Sequence, residues 1–394
     1  MSSGFRRFRV TDKIRESEII TSFHLEPADG APLFAARPGQ YLTLKLPTPE
    51  GSVLKTYSLS GDVTAPGSHR ITVKRGGRPV DAAHLPEGVG SCWLHDAVSP
   101  GMELEVAAPR GSFVLDEDSE RPVLLLGGGV GLTPLVAMAH RLAETERRVW
   151  FLQACENGAV QALGDELREL AEASQGRIRN HVIYRNPSDA DRASGPGHSV
   201  GMIDKALLQS LLPLDDYDVY LCGPTPFMVA MYRLLRELGV TKARIAYEFF
   251  GKAASLEVLA EQPQIAPQTA SKAPAAIAGL AFLTNPDARA MPEDLPVARG
   301  PVKAANDTGQ GNDVVFARSG VSAAWNDSAN SLLELAEEAG LTPAFSCRAG
   351  ICNTCRCGLK EGEVRYFEEP LDPPGPGEVL LCCARPEGRV VLDI

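Results

Sequence analysis

Six of the nine cysteines, Cys347, Cys352, Cys355, Cys357, Cys382 and Cys383, fall in the last 48 residues of a 394-residue chain. Four follow the spacing Cys347-x4-Cys352-x2-Cys355, then 26 residues, then Cys382. Thiolates presented this way, three from one tight loop and one from a distant strand, suit a [2Fe–2S] cluster. Zinc sites pair two short Cys/His knuckles, and here the second would be the adjacent Cys382-Cys383, a poor chelator of one tetrahedral ion. Redox-active thiols are the third alternative. Gly350 lets the loop turn close to the metal, so that backbone amides can point at the sulfurs. Cys357 and Cys383 are surplus to four ligands and read as buried small residues.

Two further constellations carry chemistry. Lys55-Thr56-Tyr57-Ser58 offers a cation, an aromatic face and a hydroxyl, the three residue types a flavin needs for phosphate, ring and N5. A plain strand would show the same pair of Tyr and Ser, so the segment is ambiguous alone. Gly88-Val-Gly-Ser-Cys-Trp-Leu-His-Asp96 would open a short helix with free amides for a pyrophosphate, with Trp93 and His95 read as packing residues. Gly127-Gly-Gly-Val-Gly-Leu-Thr-Pro134 lies between an apolar strand and a helix, the context for dinucleotide contact, without being Gly-x-Gly-x-x-Gly. The seven histidines are never closer than eleven residues, which leaves no Rieske pair, no His-Glu-x-x-His and no evident facial triad. The chain therefore has groups that carry electrons and no centre to activate dioxygen or hydrolyse a bond.

These residues need three kinds of scaffold. From Phe5 to about Ser112, short alternating segments (Arg6–Lys13, Glu18–Leu25, Gln40–Leu46, Thr56–Ser60, Arg70–Arg75, Glu103–Ala107) predict an antiparallel barrel or sandwich. From Pro122 to Phe250, apolar runs alternate with helical stretches, the pattern of a doubly wound parallel sheet whose ligands bind beyond the strands' carboxyl ends. Pro122 to Ala139 has no charge over 18 residues, but its four glycines and two prolines fit a strand, loop and helix better than a membrane span. Ala and Pro make up 22 of the 59 residues from 253 to 311, which reads as a linker. The remainder is a β-rich module with one helix, Ser331–Ala339. The expected domains are thus 1–112, 113–252, a linker 253–311, and 312–394. The formal charge of −11 argues against nucleic acid and anionic membranes as partners. An N-terminus without an apolar h-region, and cysteines clustered rather than spread, lead us to expect a cytoplasmic, reduced setting.

Phe345-Ser-Cys-Arg-Ala-Gly-Ile-Cys-Asn-Thr-Cys355 and Val379-Leu-Leu-Cys-Cys-Ala-Arg-Pro386 resemble the cluster loop and fourth-ligand strand of plant-type ferredoxins, with Asn353 where many have Gly or Ser. The preceding 250 residues resemble the ferredoxin–NADP reductase superfamily, especially its flavohemoglobin-like branch. The resemblance rests on Leu54–Ser60 with Lys55 for the usual Arg, on the Gly127–Pro134 and Leu221-Cys-Gly-Pro-Thr-Pro-Phe227 motifs, and on Ala246-Tyr-Glu-Phe-Phe-Gly251. It implies a multidomain fold: a flavin-binding β-barrel, an α/β NAD(P) domain and an α+β, β-grasp-like ferredoxin domain. It assigns flavin contacts to Lys55, Thr56, Tyr57, Ser58, Val73, Gly90, Ser91, Cys92 and Phe250, the last with simple core as its alternative. It assigns nicotinamide contacts to Gly128, Gly129, Gly131, Thr133, Cys222, Gly223 and Pro224, with a buried strand-end thiol as the alternative for Cys222. Ser58, Cys222 and Glu248 are the expected catalytic residues, and Cys347, Cys352, Cys355 and Cys382 the metal ligands. FAD is expected, with FMN possible in close relatives; NADH and NADPH stay open, since Arg185, Ser188 and Arg192 could recognise a 2′-phosphate, although a solvated loop is the favoured reading. The order of modules resembles reductases that serve Rieske or diiron oxygenases. A non-oxygenase acceptor, such as a hybrid-cluster or haem protein, and a redox-sensing module are the alternatives.

Overall fold

The computed structural model describes residues 5–48, 51–76, 89–193, 198–250, 256–261, 313–325, 329–345, 350–351 and 353–394. Strands β1 (Phe5–Arg15), β2 (Ile20–Pro27), β3 (Tyr41–Thr48), β4 (Gly51–Ser58), β5 (His69–Lys74) and β6 (Glu103–Arg110) form an antiparallel sheet in the order β4-β3-β6-β1-β2-β5. A bridge between Leu59 and Ile71 joins its two edges, so the sheet curls into a barrel around Phe8, Phe23, Leu42, Leu44 and Ile71. Helix α1 (Val89–Ala97) lies between β5 and β6 in the chain.

The second sheet is wholly parallel, in the order β10-β9-β8-β7-β11-β12. Its strands are β7 (Val123–Gly128), β8 (Val149–Cys155), β9 (Ile178–Tyr184), β10 (His198–Val200), β11 (Asp218–Gly223) and β12 (Ile245–Phe249). Helices α2 (Leu132–Ala143), α3 (Gly164–Ala173), α4 (Asp189–Ala193), α5 (Lys205–Leu211) and α6 (Thr225–Glu237) alternate with them. The near-continuous apolar strands are explained by burial on both faces: in β7, Val123 and Leu125 enter one core with Leu135 and Phe151, while Leu124 and Leu126 enter another with Leu152 and Met228. Strand order reverses between β7 and β11, which places a ligand crevice beyond the ends of these two strands.

One expectation is corrected here. Residues 253 onward read as linker, yet Leu256–Glu261 forms helix α7 against α6. Leu256 is fully buried and its N–H donates to Tyr247 Oη at 3.2 Å, while Arg233 Nε donates to the Ala260 carbonyl at 2.7 Å. Low average apolarity does not reveal a single docking leucine. The rest of the expected linker, from 262, lies outside the described residues.

In the third sheet, ordered β14-β13-β17-β15-β16, the strands are β13 (Asp313–Phe316), β14 (Val321–Ala324), β15 (Arg356–Tyr366), β16 (Glu378–Leu380) and β17 (Ala384–Leu392). Only β13 and β17 pair in parallel. Helix α8 (Leu332–Glu338) starts at Ser331, whose hydroxyl accepts the Glu334 N–H at 3.2 Å, and its leucines pack on the Leu381–Cys383 turn. Among the described residues no helix is long and apolar enough to cross a membrane.

The barrel and the parallel sheet share a polar seam. Arg70 on β5 forms a two-pronged ion pair with Glu166 on α3, and His140 on α2 bonds the same carboxylate. Burial opposes ionisation of Glu166, but hydrogen bonds from His140 and Arg70 overcome it and hold the carboxyl down to about 2. A depressed native value means the stabilisation is present above the ordinary carboxyl range, near 4.5, and is lost as pH falls towards 2. Glu166→Gln is expected to cost about 3 kcal/mol at pH 7 and to flatten the acid limb of the stability curve. Denaturant unfolding from pH 7 to pH 2 checks this; an unchanged acid limb would refute it.

Candidate functional site

The parallel register sets Gly127, Cys222 and Glu248 abreast at the ends of β7, β11 and β12. The Gly127–Thr133 turn then passes so close to β11 that a side chain at Gly131 would meet the Gly223 Cα at 2.6 Å. Gly128 and Gly223 flank the Phe227 ring, which a Cβ at either position would meet at 2.7 Å. Gly129 has φ +54°, and Thr133 is buried with its hydroxyl donating to the Val130 carbonyl at 3.1 Å. Pro224 caps α6. The nicotinamide residues expected from sequence therefore gather at the ends of β7 and β11, where Gly128, Gly131, Thr133, Cys222 and Gly223 are buried and Pro224 is exposed.

Ser58 closes β4 and is buried; its hydroxyl donates to the Glu248 carboxylate at 3.4 Å, bringing barrel and parallel sheet together at the same crevice. Burial pushes Glu248 up to about 8, against the pull of the Ser58 hydrogen bond and with a push from the charge of Glu368. At neutral pH the carboxyl is thus mostly protonated. Burial, with Glu248 beside it, likewise holds the Cys222 thiol far above its ordinary range. It is an uncharged thiol, not a nucleophile. Phe250, directly after β12, is 47% exposed, so the core alternative for it falls.

Further along the barrel, Lys55 and Tyr57 meet the start of α1. A Cβ at Gly90 would lie 2.8 Å from Lys55 Cγ and 3.1 Å from Tyr57 Oη. The Gly76 N–H donates to Ser91 Oγ at 3.0 Å and the Cys92 thiol to the Gly76 carbonyl at 3.3 Å. Thr56 is exposed on the edge strand. Val73 stands apart from these contacts: its side chain is in the barrel core and its carbonyl accepts from His95 Nε2 at 2.9 Å. His95 also sets its edge against Phe23, and Trp93 packs on the barrel core, as packing residues should. Ser188 is held by the Asp191 carboxylate through both N–H and hydroxyl, while Arg185 and Arg192 are exposed.

In the third module, Cys355 and Cys382 are buried, and the Gly350 N–H donates to Cys382 Sγ at 3.3 Å. Gly350 needs its φ of +63°, and a Cβ there would meet Cys383 Sγ at 2.9 Å. Asn353, at φ +56°, occupies the left-handed region that Asn tolerates better than most residues. Cys383 is core, and burial pushes the half-buried Cys357 thiol up to about 12. Cys347 and Cys352 lie outside the described residues. An amide aimed at a buried sulfur suits a thiolate ligand, and the glycine-walled crevice suits a dinucleotide, so the residues fit both kinds of group.

Three family models match in order: an oxidoreductase FAD-binding domain over residues 7–115, an oxidoreductase NAD-binding domain over 125–233, and a 2Fe-2S iron-sulfur cluster binding domain over 315–387. The flavohem-like FAD/NAD binding domain of nitric oxide dioxygenase from Vibrio cholerae is 36% identical, with 62% of this chain covering 98% of that one at a TM-score of 0.55. The chain belongs to the ferredoxin–NADP reductase superfamily. Behind its reductase modules it carries a plant-type [2Fe–2S] domain. The same module order appears in phthalate dioxygenase reductase, which at 24% identity covers 99% of this chain and 98% of that one with a TM-score of 0.51, a likeness of fold.

Within the superfamily, the flavohemoprotein of Rhodopirellula baltica is 41% identical over 253 residues, and this chain spans 61% of its length. The FAD-binding, NAD-binding and 2Fe-2S models that match this chain support FAD, NADH or NADPH, and a [2Fe–2S] cluster as the groups it handles. Sequence reasoning missed Glu368, whose charge bears on Glu248 from the third module, and Phe227 as the wedge between two glycines. Phe227 was legible in principle, since it sits three residues into the helix after Gly-Pro-Thr-Pro; nothing local marks Glu368.

Proposed function

We propose that the chain oxidises NADH or NADPH and delivers the electrons one at a time to a partner protein, a Rieske or diiron oxygenase component. The observation that carries this reading is the contact of Ser58 from the flavin barrel with Glu248 beside Cys222, in a chain that also carries a cluster module. When bound, flavin accepts a hydride and releases single electrons, which a [2Fe–2S] cluster carries singly. The Gly128–Thr133 turn and Gly223-Pro224 would seat the nicotinamide dinucleotide, with the neutral Cys222 thiol against its reactive ring. With flavin bound, Ser58 would turn its hydroxyl proton to N5 while its oxygen accepts from the protonated Glu248 carboxyl, and Lys55 and the α1 amides of Gly90 and Ser91 would take the flavin phosphates. Phe250 would cover the ring, and the four cysteines would hold the cluster.

A second reading is a haem acceptor, favoured by the flavohemoprotein likeness of the reductase region. Anaerobic assays of NADH and NADPH oxidation with ferricyanide, cytochrome c and a purified oxygenase component separate these readings from a sensor, which would show cluster reduction without fast turnover. An acidic chain of −11 should dock a basic face, so oxygenase reduction is expected to slow about tenfold between about 10 mM and about 500 mM salt. A rate indifferent to ionic strength would remove the charge argument.

A further inference from the structure

The segment 367–372 leaves β15 within the ferredoxin module, yet its contacts run in two directions. Inwards, the Leu371 N–H donates to the Gly350 carbonyl at 2.9 Å, Asn353 Nδ2 donates to Asp372 at 3.0 Å, and the Phe367 N–H donates to the Cys383 carbonyl at 3.1 Å. These bonds tie it to Gly350 and Asn353 of the cysteine loop and to the Leu381–Cys383 turn that carries Cys382. Outwards, the Glu368 carboxylate accepts the Gly111 N–H at 3.0 Å, and the Arg110 guanidinium donates to the Glu369 carbonyl. Both barrel residues sit at the end of β6.

Apolar contacts complete the bridge. Ile351, next to Cys352 in the chain, is buried with Tyr41 of β3, and Leu371 packs there with Leu54 of β4. Tyr41 is the cross-strand partner of Ser58. Gly111 has φ +112°, and a Cβ there would meet the Tyr41 ring at 2.9 Å, so only glycine can present its N–H to Glu368 while leaving Tyr41 in place. A run of direct neighbours therefore leads from Ser58 through Tyr41 to Ile351, the residue before Cys352 in the sequence.

We propose that residues 367–372 form a strap that fixes the cluster loop against the flavin barrel, with Glu368 as the positioning residue for electron transfer from flavin to cluster. The proposal rests on the electron path above. Burial raises the Glu368 carboxyl above its ordinary range while Gly111 and Arg110 act against it, as expected for a group enclosed between two modules.

Stopped-flow reduction of the full-length, cofactor-loaded protein by NADH or NADPH tests it, with flavin and cluster followed separately. Measurement at pH 6 keeps Glu248 protonated, well below about 8, so that a change at Glu368 does not alter its charge. Glu368→Ala is expected to leave flavin reduction and ferricyanide turnover within about twofold, and to slow cluster reduction and cytochrome c turnover about tenfold. Adding Arg110→Ala should slow them further. Glu368→Gln keeps a carbonyl acceptor for Gly111 and should restore the rate to within about threefold of wild type. Wild-type cluster reduction in the Ala and double variants, or a Gln variant as slow as Ala, overturns the strap. A wild-type protein whose cluster is never reduced by the nicotinamide would instead overturn the function on which the strap rests.

Discussion

Cys382→Ser is expected to abolish cluster-dependent turnover, lowering cytochrome c reduction about a hundredfold or more while ferricyanide reduction stays within about twofold. Cys382 is the fourth thiol of the spacing pattern, sits in the Leu381–Cys383 turn, is buried, and already accepts an amide from Gly350. A serine oxygen is smaller and harder than sulfur and is not deprotonated under the same conditions, so it cannot replace a thiolate towards iron. The neighbouring cysteine is the control. Cys383 is fully buried in the core with its thiol near the Leu380 carbonyl, so Cys383→Ala should retain iron and cost about 1 kcal/mol for the small void. Iron content, visible absorbance and the two acceptor assays decide the matter. If Cys382→Ser keeps its iron and Cys383→Ala loses it, the ligand assignment is wrong.

Gly131→Val should be nearly as damaging at the other end of the path. The atoms a new Cβ would meet, the Cys222 carbonyl carbon at 2.5 Å and the Gly223 Cα at 2.6 Å, belong to backbone and cannot rotate away. The turn and β11 would have to part, widening the crevice at the place proposed for the nicotinamide. We expect kcat/KM for NADH or NADPH to fall about a hundredfold, and stability by about 1–3 kcal/mol. Gly129→Ala separates crowding from backbone strain. No other part of the protein lies within 4 Å of that Cβ, so φ +54° sets a stability cost of about 1–2 kcal/mol, and kcat/KM should fall less than for Gly131→Val because β11 stays in place. Equal catalytic losses in the two variants would show that turn conformation, not close approach, is what matters.

Much of this was legible in the chain because the chemistry is encoded locally. Gly127–Pro134 and Leu221–Phe227 are contiguous, so reading them as two turns at strand ends required only the apolar runs before them and the helical stretches after. The parallel register then set their ends side by side. Segment ends were less certain: β4 begins at Gly51 rather than Thr56, because Gly51 and Ser52 pair with Thr48 and Pro47 of β3 without carrying a strand signal of their own. Helix α7 was invisible because one buried leucine cannot outweigh an Ala/Pro-rich neighbourhood.

By itself the sequence determined the three module types, their order, and the cofactor chemistry of each, because strand alternation, glycine turns and thiol spacing are properties of short contiguous segments. Only the tertiary structure decided how the modules meet. Ser58 reaches Glu248 across 190 residues, Arg70 reaches Glu166 across 96, and Gly111 reaches Glu368 across 257. Each contact joins side chains or amides whose local patterns are unremarkable and whose partners are chosen by how buried faces pack. The protonation of Glu248 belongs to the same class: a glutamate near the end of a strand is ordinary in sequence, and burial between two modules is what raises it.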